Sequence, residues 1–217
     1  MQNKDIINAQ NQHWNTSYTK NNEMFGETPS EPAVFVANLF KEQQKTNLLE
    51  LGAGQGRDTL FFGNKGFKIS ALDYSQIGLT TIKNKAQAQN LSNISLFRHD
   101  IRKALPFKDA TFDVCYAHML FCMALTTTEL IFLMGEIKRV LKPKGLCVYT
   151  ARTTDDPHYK TGIHRGENMY EVGGFIVHFF NQEMINQLST GFELVDLTAF
   201  QEGTLPRQLF RVTLKKI

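Results

Sequence analysis

Cysteine is scarce in this chain, and what there is forms no pattern. Cys115, Cys122 and Cys147 are the only three in 217 residues. An odd count without C-x-x-C spacing argues against a disulfide framework and against a zinc site. Two of them stand inside apolar runs and read as small buried side chains. Long hydrophobic runs are missing too: nothing approaches the roughly 18 residues of a membrane-crossing helix, and the polar start "MQNKDIINAQNQHW" lacks the apolar block of a secretory signal. Charge of one sign is not concentrated anywhere. The balance of 24 Lys and Arg against 21 Asp and Glu leaves +3, too little for a nucleic-acid groove. Repeats and low-complexity tracts are absent. The expectation from these gaps is a cytoplasmic protein without metal or membrane insertion, a monomer or homodimer, for which nucleic acid is not the favoured partner.

What is present suffices for one core: 42% of the residues are hydrophobic at a length suited to one domain. Residues 1–30 differ from the rest, being polar and rich in Asn and Gln. They read as an arm of one or two helices, or a mobile cover, anchored by Trp14, Tyr18 and Phe25. From residue 31 to 217 the pattern is that of one domain. Ser30 is an N-cap, Pro32 falls in the first turn, and Phe35, Val36, Leu39 and Phe40 recur at helical spacing. "LLEL", "FKISALD", "ISLFRH", "FDVCYAHML" and "LCVYTA" read as five strands. Helices fall between them over 57–64, from Ser75 to Asn90, and after the capping box of Thr126 and Glu129. A long irregular stretch follows, then a short helix near 181–190. "FELVDLTAF" and "RQLFRVTLKK" are joined by "QEGTLP", too short for a crossover helix, so they form an antiparallel hairpin at the sheet edge. The expected fold is α/β: a Rossmann-like, seven-stranded, mostly parallel sheet with helices on both faces.

The chemistry concentrates at "LLELGAGQGRDTLFF". Gly52, Gly54 and Gly56 follow the first strand, where a parallel sheet binds its ligands. Glycine lets a ligand touch the backbone, and the next helix start can hold an anion. The spacing is G-x-G-x-G, with Arg57 where a dinucleotide fingerprint has its last glycine. Asp73 closes the second strand, placed for the hydroxyls of a ribose or else for a helix cap shared with Ser75.

Five pieces in order, "ELGAGQG", "ALDYS", "RHDIRKALPF", "FDVCYAH" and "EIKRVLKPKG", resemble the class I S-adenosylmethionine-dependent methyltransferases over residues 30–217. The resemblance implies S-adenosylmethionine as cofactor, held by Glu50, Gly52, Ala53, Gly54 and Gly56 at the methionine end. It implies ribose on Asp73, adenine between Tyr74, Asp100 and Ile101, and Ala117 and His118 under the sulfonium. The activity implied is in-line methyl transfer, for which the protein supplies alignment and desolvation.

In this superfamily the arm and the loop after the fifth strand choose the acceptor. Here that loop, "ARTTDDPHYKTGIHRGENMYEVGGFIVHFF", concentrates groups able to bind or deprotonate one. The expected acceptor-side residues are Trp14, Tyr18, Tyr159, Arg165 and Tyr170, with His118, Arg152 and His178 as catalytic candidates. "GGFIVHFF" is similar to the tellurite-resistance and thiopurine type of small-molecule enzyme, and the core motifs are shared with the menaquinone-biosynthesis type. "AHMLF" stands where amino-methylating nucleic-acid enzymes carry N/D-P-P-Y/F, and the three cysteines do not converge as arsenic methylation requires. A small-molecule acceptor is the favoured partner. A protein or RNA methyltransferase and a non-catalytic regulator that binds the cofactor are the alternatives.

Overall fold

The computed structural model describes residues 5, 6, 9–203 and 207–217; the start of the arm and the tip of the "QEGTLP" turn lie outside them. Six helices occur among the described residues: α1 (Gln10–Lys20), α2 (Glu31–Glu42), α3 (Arg57–Asn64), α4 (Gln76–Ala88), α5 (Thr127–Val140) and α6 (Gln182–Leu188). The local signals work as expected. Ser30 Oγ accepts from Ala33 N, Ser75 Oγ accepts from Gly78 N, and Thr126 and Glu129 form both halves of a capping box.

The main sheet joins β1 (Asn47–Leu51), β2 (Lys68–Asp73), β3 (Ile94–Arg98), β4 (Phe112–Ala117), β5 (Leu141–Arg152), β9 (Phe192–Glu202) and β10 (Arg207–Lys216). Its order is β3-β2-β1-β4-β5-β10-β9. The first five strands are parallel, and β10 runs antiparallel to both β5 and β9. The expected seven strands and terminal hairpin are therefore present.

Alternation along the strands explains why helices cover both faces. On β4, Cys115 and Ala117 join the cluster under α5 and α6, while Val114 and Tyr116 join the cluster under α2, α3 and α4. On β5, Cys147, Tyr149 and Ala151 face the first cluster, and Leu146 and Val148 the second. The cysteines are free and buried. No helix among the described residues is long and apolar enough to cross a membrane.

Two expectations need correction. The stretch after β5 is not irregular: it holds a three-stranded antiparallel sheet of β6 (Ile163–His164), β7 (Met169–Val172) and β8 (Phe175–His178). Strands of two to four residues between glycines carry too few alternations to register as a pattern. The fourth strand also stops at Ala117, because Met119 takes a left-handed φ of 59° that breaks the ladder.

Candidate functional site

The strand order reverses between β1 and β4, so a crevice opens beyond their carboxyl ends. The glycine loop forms one lip. Gly52 N and Ala53 N donate to Leu72 O at 2.9 and 3.1 Å, which ties the loop to β2. Gly56 precedes α3 with φ 89°, and a Cβ there would stand 2.5 Å from Ile82 Cγ1. That glycine serves the packing of α4. A Cβ on Gly54 would lie 3.0 Å from Tyr18 Oη, so it is α1 that comes down on the loop.

Asp73 is a clamp. Its Oδ2 accepts from Gly54 N at 2.8 Å and its Oδ1 from Ser75 N at 2.7 Å. Burial pushes its carboxyl up while those amides work to hold it down. Each oxygen keeps a second lone pair, so the clamp leaves capacity for hydroxyl donors. The loop is thereby braced before any ligand arrives.

Glu50, at the end of β1, differs. It is 3% exposed, its Oε2 has no hydrogen-bond partner, and burial pushes its carboxyl up to about 8. A buried carboxylate oxygen without a donor, beside an uncapped helix start at Gly56, is complementary to a group carrying both an ammonium and a carboxylate.

Along the lip, Trp14, Tyr74, Ile101, Leu120, Met123 and Leu125 line a cavity of about 50 Å³ that also reaches Asp100. Asp100 is held below the usual carboxylate range: burial opposes this, but Arg102 outweighs it with a bond of 2.7 Å from Nη2 to Oδ2. Burial raises the Tyr74 phenol. The motif residues Tyr74, Asp100 and Ile101 thus meet in one place, as the resemblance implies. Ala117 is fully buried in the core beneath the crevice.

Trp14 and Tyr18 lie nearer the cofactor residues than expected for acceptor groups. Trp14 lines the same cavity as Tyr74, and Tyr18 is buried over Gly54. Asn15 Oδ1 accepts from Ser75 Oγ at 2.6 Å, and Gln55 bonds both Asn21 O and Met24 N, so the arm is docked. Its outer side meets the small sheet. The Gln10 amide donates to Gly174 O at 3.1 Å and accepts from Ile176 N at 3.3 Å, while His13 and Trp14 pack on Phe175 with centroids 4.3 and 4.9 Å apart.

His118 stands at the end of β4. Thr150 Oγ1 accepts from Met119 N at 2.9 Å, which directs its hydrogen to His118 Nδ1, also at 2.9 Å. This leaves Nε2–H facing Glu202 Oε2 at 3.3 Å. Burial of Glu202 is outweighed by His118, Arg57 and Arg207, which hold its carboxyl below the usual range. Sequence reading misses Glu202, because the end of an edge strand 84 residues from its partner carries no local signal. It also misses the buried group in which Asp58 accepts from Ser30 N, Ser30 Oγ and Tyr116 Oη.

The other expected residues are held by neighbouring side chains. Arg152 pairs with Asp156 through two nitrogens and touches His158 Nδ1 at 3.0 Å. Arg165 pairs with Glu171. The rings of Tyr159 and Tyr170 pack edge to face at 5.5 Å, both against Phe179. His178 is fully buried.

Comparison with known proteins bears on the domain and the fold. Residues 48–145 match the family described as a methyltransferase domain. The malonyl-[acyl-carrier protein] O-methyltransferase of Erwinia billingiae is 27% identical over 123 residues, 57% of this chain and 45% of that protein. Alignments with the curated relatives span 21% to 45% of the relatives' lengths. Among solved structures, the Burkholderia thailandensis 1,6-didemethyltoxoflavin-N1-methyltransferase, with 1,6-didemethyltoxoflavin and S-adenosylhomocysteine bound, superposes with a TM-score of 0.77 at 16% identity. That match covers 100% of this chain and 91% of that one. TehB from Haemophilus influenzae gives a TM-score of 0.66 at 16% identity, covering 85% and 62%. Residues 48–145 thus carry a methyltransferase domain, and the chain shares its fold with S-adenosylmethionine-dependent methyltransferases. Its cofactor is S-adenosylmethionine, whose ammonium and carboxylate suit Glu50 and the start of α3.

Proposed function

We propose that the protein methylates a small polar molecule bearing an N–H, O–H or S–H group. The observation that carries this reading is the cover: α1 and the three-stranded sheet close together over the carboxyl edge, joined through Gln10 and Phe175. A covered edge suits an acceptor that can be enclosed and not a duplex or a folded surface. The toxoflavin enzyme, whose fold this chain shares, is named for a small-molecule acceptor.

Bound S-adenosylmethionine supplies a methyl group on an electrophilic sulfonium. The residues of this chain have three tasks around it. The braced glycine loop and Asp73 orient the cofactor, and the cover excludes water. His118, with Nδ1 taken by Thr150 and Nε2–H by Glu202, has no free lone pair, so its task is to fix the end of β4 and not to take the acceptor's proton.

A labelled-methyl screen over thiols, amines, hydroxyl compounds, selenite, tellurite, total RNA and lysate protein tests this reading. Transfer to small molecules, unchanged between low and physiological salt, is expected. Transfer to RNA that collapses with salt, as phosphate contacts dictate, or transfer to protein alone, overturns it.

A further inference from the structure

The segment between β4 and α5 forms one wall of the cofactor cavity, through Met123, Ala124 and Leu125. It has no regular structure, and its own bonds are short-range: Met123 N to Leu120 O at 3.0 Å and Leu125 N to Met123 O at 2.7 Å. Two of its carbonyls point away from the cavity toward β8. His178 meets both, its main-chain N donating to Cys122 O at 2.9 Å and its Nδ1 lying 2.8 Å from Leu125 O.

A carbonyl only accepts, so Nδ1 carries the hydrogen and, in the neutral ring, Nε2 is bare. Nε2 has no hydrogen-bond partner. The acid nearest to it, Glu167 Oε2 at 3.6 Å, accepts instead from Thr127 N and Thr127 Oγ1 at the start of α5. Burial lowers the imidazole's affinity for a proton, against smaller opposing effects of Leu125 O and Glu167. A fully buried neutral ring with its hydrogen fixed on a carbonyl is out of reach of any acceptor.

We infer that His178 is a positioning residue for the cofactor cavity: through Cys122 O and Leu125 O it ties β8 to the 122–125 wall and holds that wall in register. The sheet thereby grips both sides of the cavity, since the hairpin β7–β8 also bonds Gln10 of α1, the helix that contributes Trp14. The inference rests on the cofactor occupying this cavity and is independent of the acceptor.

The test uses the two amides that imitate the two halves of an imidazole. Asparagine places its nitrogen near Nδ1 and glutamine places its own near Nε2. S-adenosylhomocysteine binding by calorimetry, with thermal melts to confirm folding, is expected to leave His178→Asn within about threefold of wild type and to weaken His178→Gln about tenfold or more. A folded His178→Gln that binds as wild type does, or a His178→Asn as weak as His178→Gln, overturns the assignment. Should His178→Gln fail to fold, amide exchange over residues 123–125 in His178→Asn decides. Protection equal to wild type supports the tie, and lost protection overturns it. No acceptor enters the assay, so failure here is distinct from failure of the acceptor reading.

Discussion

The glycine-loop lip and the cover above it are built in opposite ways. In the lip, carboxylates meet donors at 2.7 to 3.0 Å: Asp73 on two loop amides and Asp58 on Ser30 and Tyr116. In the cover, a neutral amide reaches across at 3.1 and 3.3 Å and rings meet at an angle. Charge-assisted bonds to buried carboxylates are about twice as strong as neutral ones. The lip is therefore set before the ligand arrives, and the cover is the more weakly held of the two. One edge of one sheet combines a charge-braced seat with a cover held by weaker contacts.

The largest expected effect comes from the one unbalanced group in the lip. Glu50 has its carboxyl raised from 4.5 to about 8, so its contribution is intact below about pH 4.5 and is lost as the pH climbs toward 8. In the cofactor-free protein, Glu50→Gln is expected to add about 4 kcal/mol at pH 8, roughly 8 to 16 °C in melting temperature, and almost nothing near pH 4.5. Melting curves across that range measure it. An equal gain at both ends would show that folding does not raise the Glu50 carboxyl.

Next is the clamp. Asp73→Ala should weaken S-adenosylhomocysteine binding about 100-fold by calorimetry, since the Gly54 and Ser75 amides lose a charged acceptor. Asp73→Asn, which keeps one acceptor oxygen, should lie between. An affinity unchanged in Asp73→Ala would mean that the loop holds its shape without the clamp.

Smaller effects are expected in the cover. Trp14→Ala removes ring contacts with Tyr18, Phe25 and Phe175 and should raise amide exchange at Ile176 about tenfold, with a modest change in melting temperature. Gln10→Ala, which frees two long bonds, should raise the same rate only about threefold. If either change unfolded the whole domain, the cover would be part of the core and the contrast would fail.

The same contrast governs how much the sequence reveals. The lip is local: the glycine spacing, the acid closing β2 and the serine starting α4 fall within 24 residues of one another, and each carries its own signal. Helix caps and the β9–β10 hairpin were legible for the same reason. The cover joins Gln10 to Gly174, 164 positions away, through an amide indistinguishable in sequence from its neighbours. Likewise, "GGFIVHFF" flagged His178, but only the fold shows its ring turned to Leu125 O and away from the crevice. Of the residues picked because they can bind or deprotonate, Arg152 is paired with Asp156, Arg165 with Glu171, and Tyr159 and Tyr170 pack on each other and on Phe179. Composition cannot tell the two uses apart.

The sheet order β5-β10-β9 bears on how the chain assembles. β9 reaches the rest of the sheet only through β10, which follows it in the chain. While the polypeptide is being made, β9 emerges with Leu194 and Val195 and has no seat until β10 slots in beside β5. That is an interval of exposed strand edge. A stop just before Arg207 would delete a ten-residue strand and leave an eleven-residue one adrift. Two strands would be lost to a single missing segment, and with them the Glu202 carboxylate that faces His118.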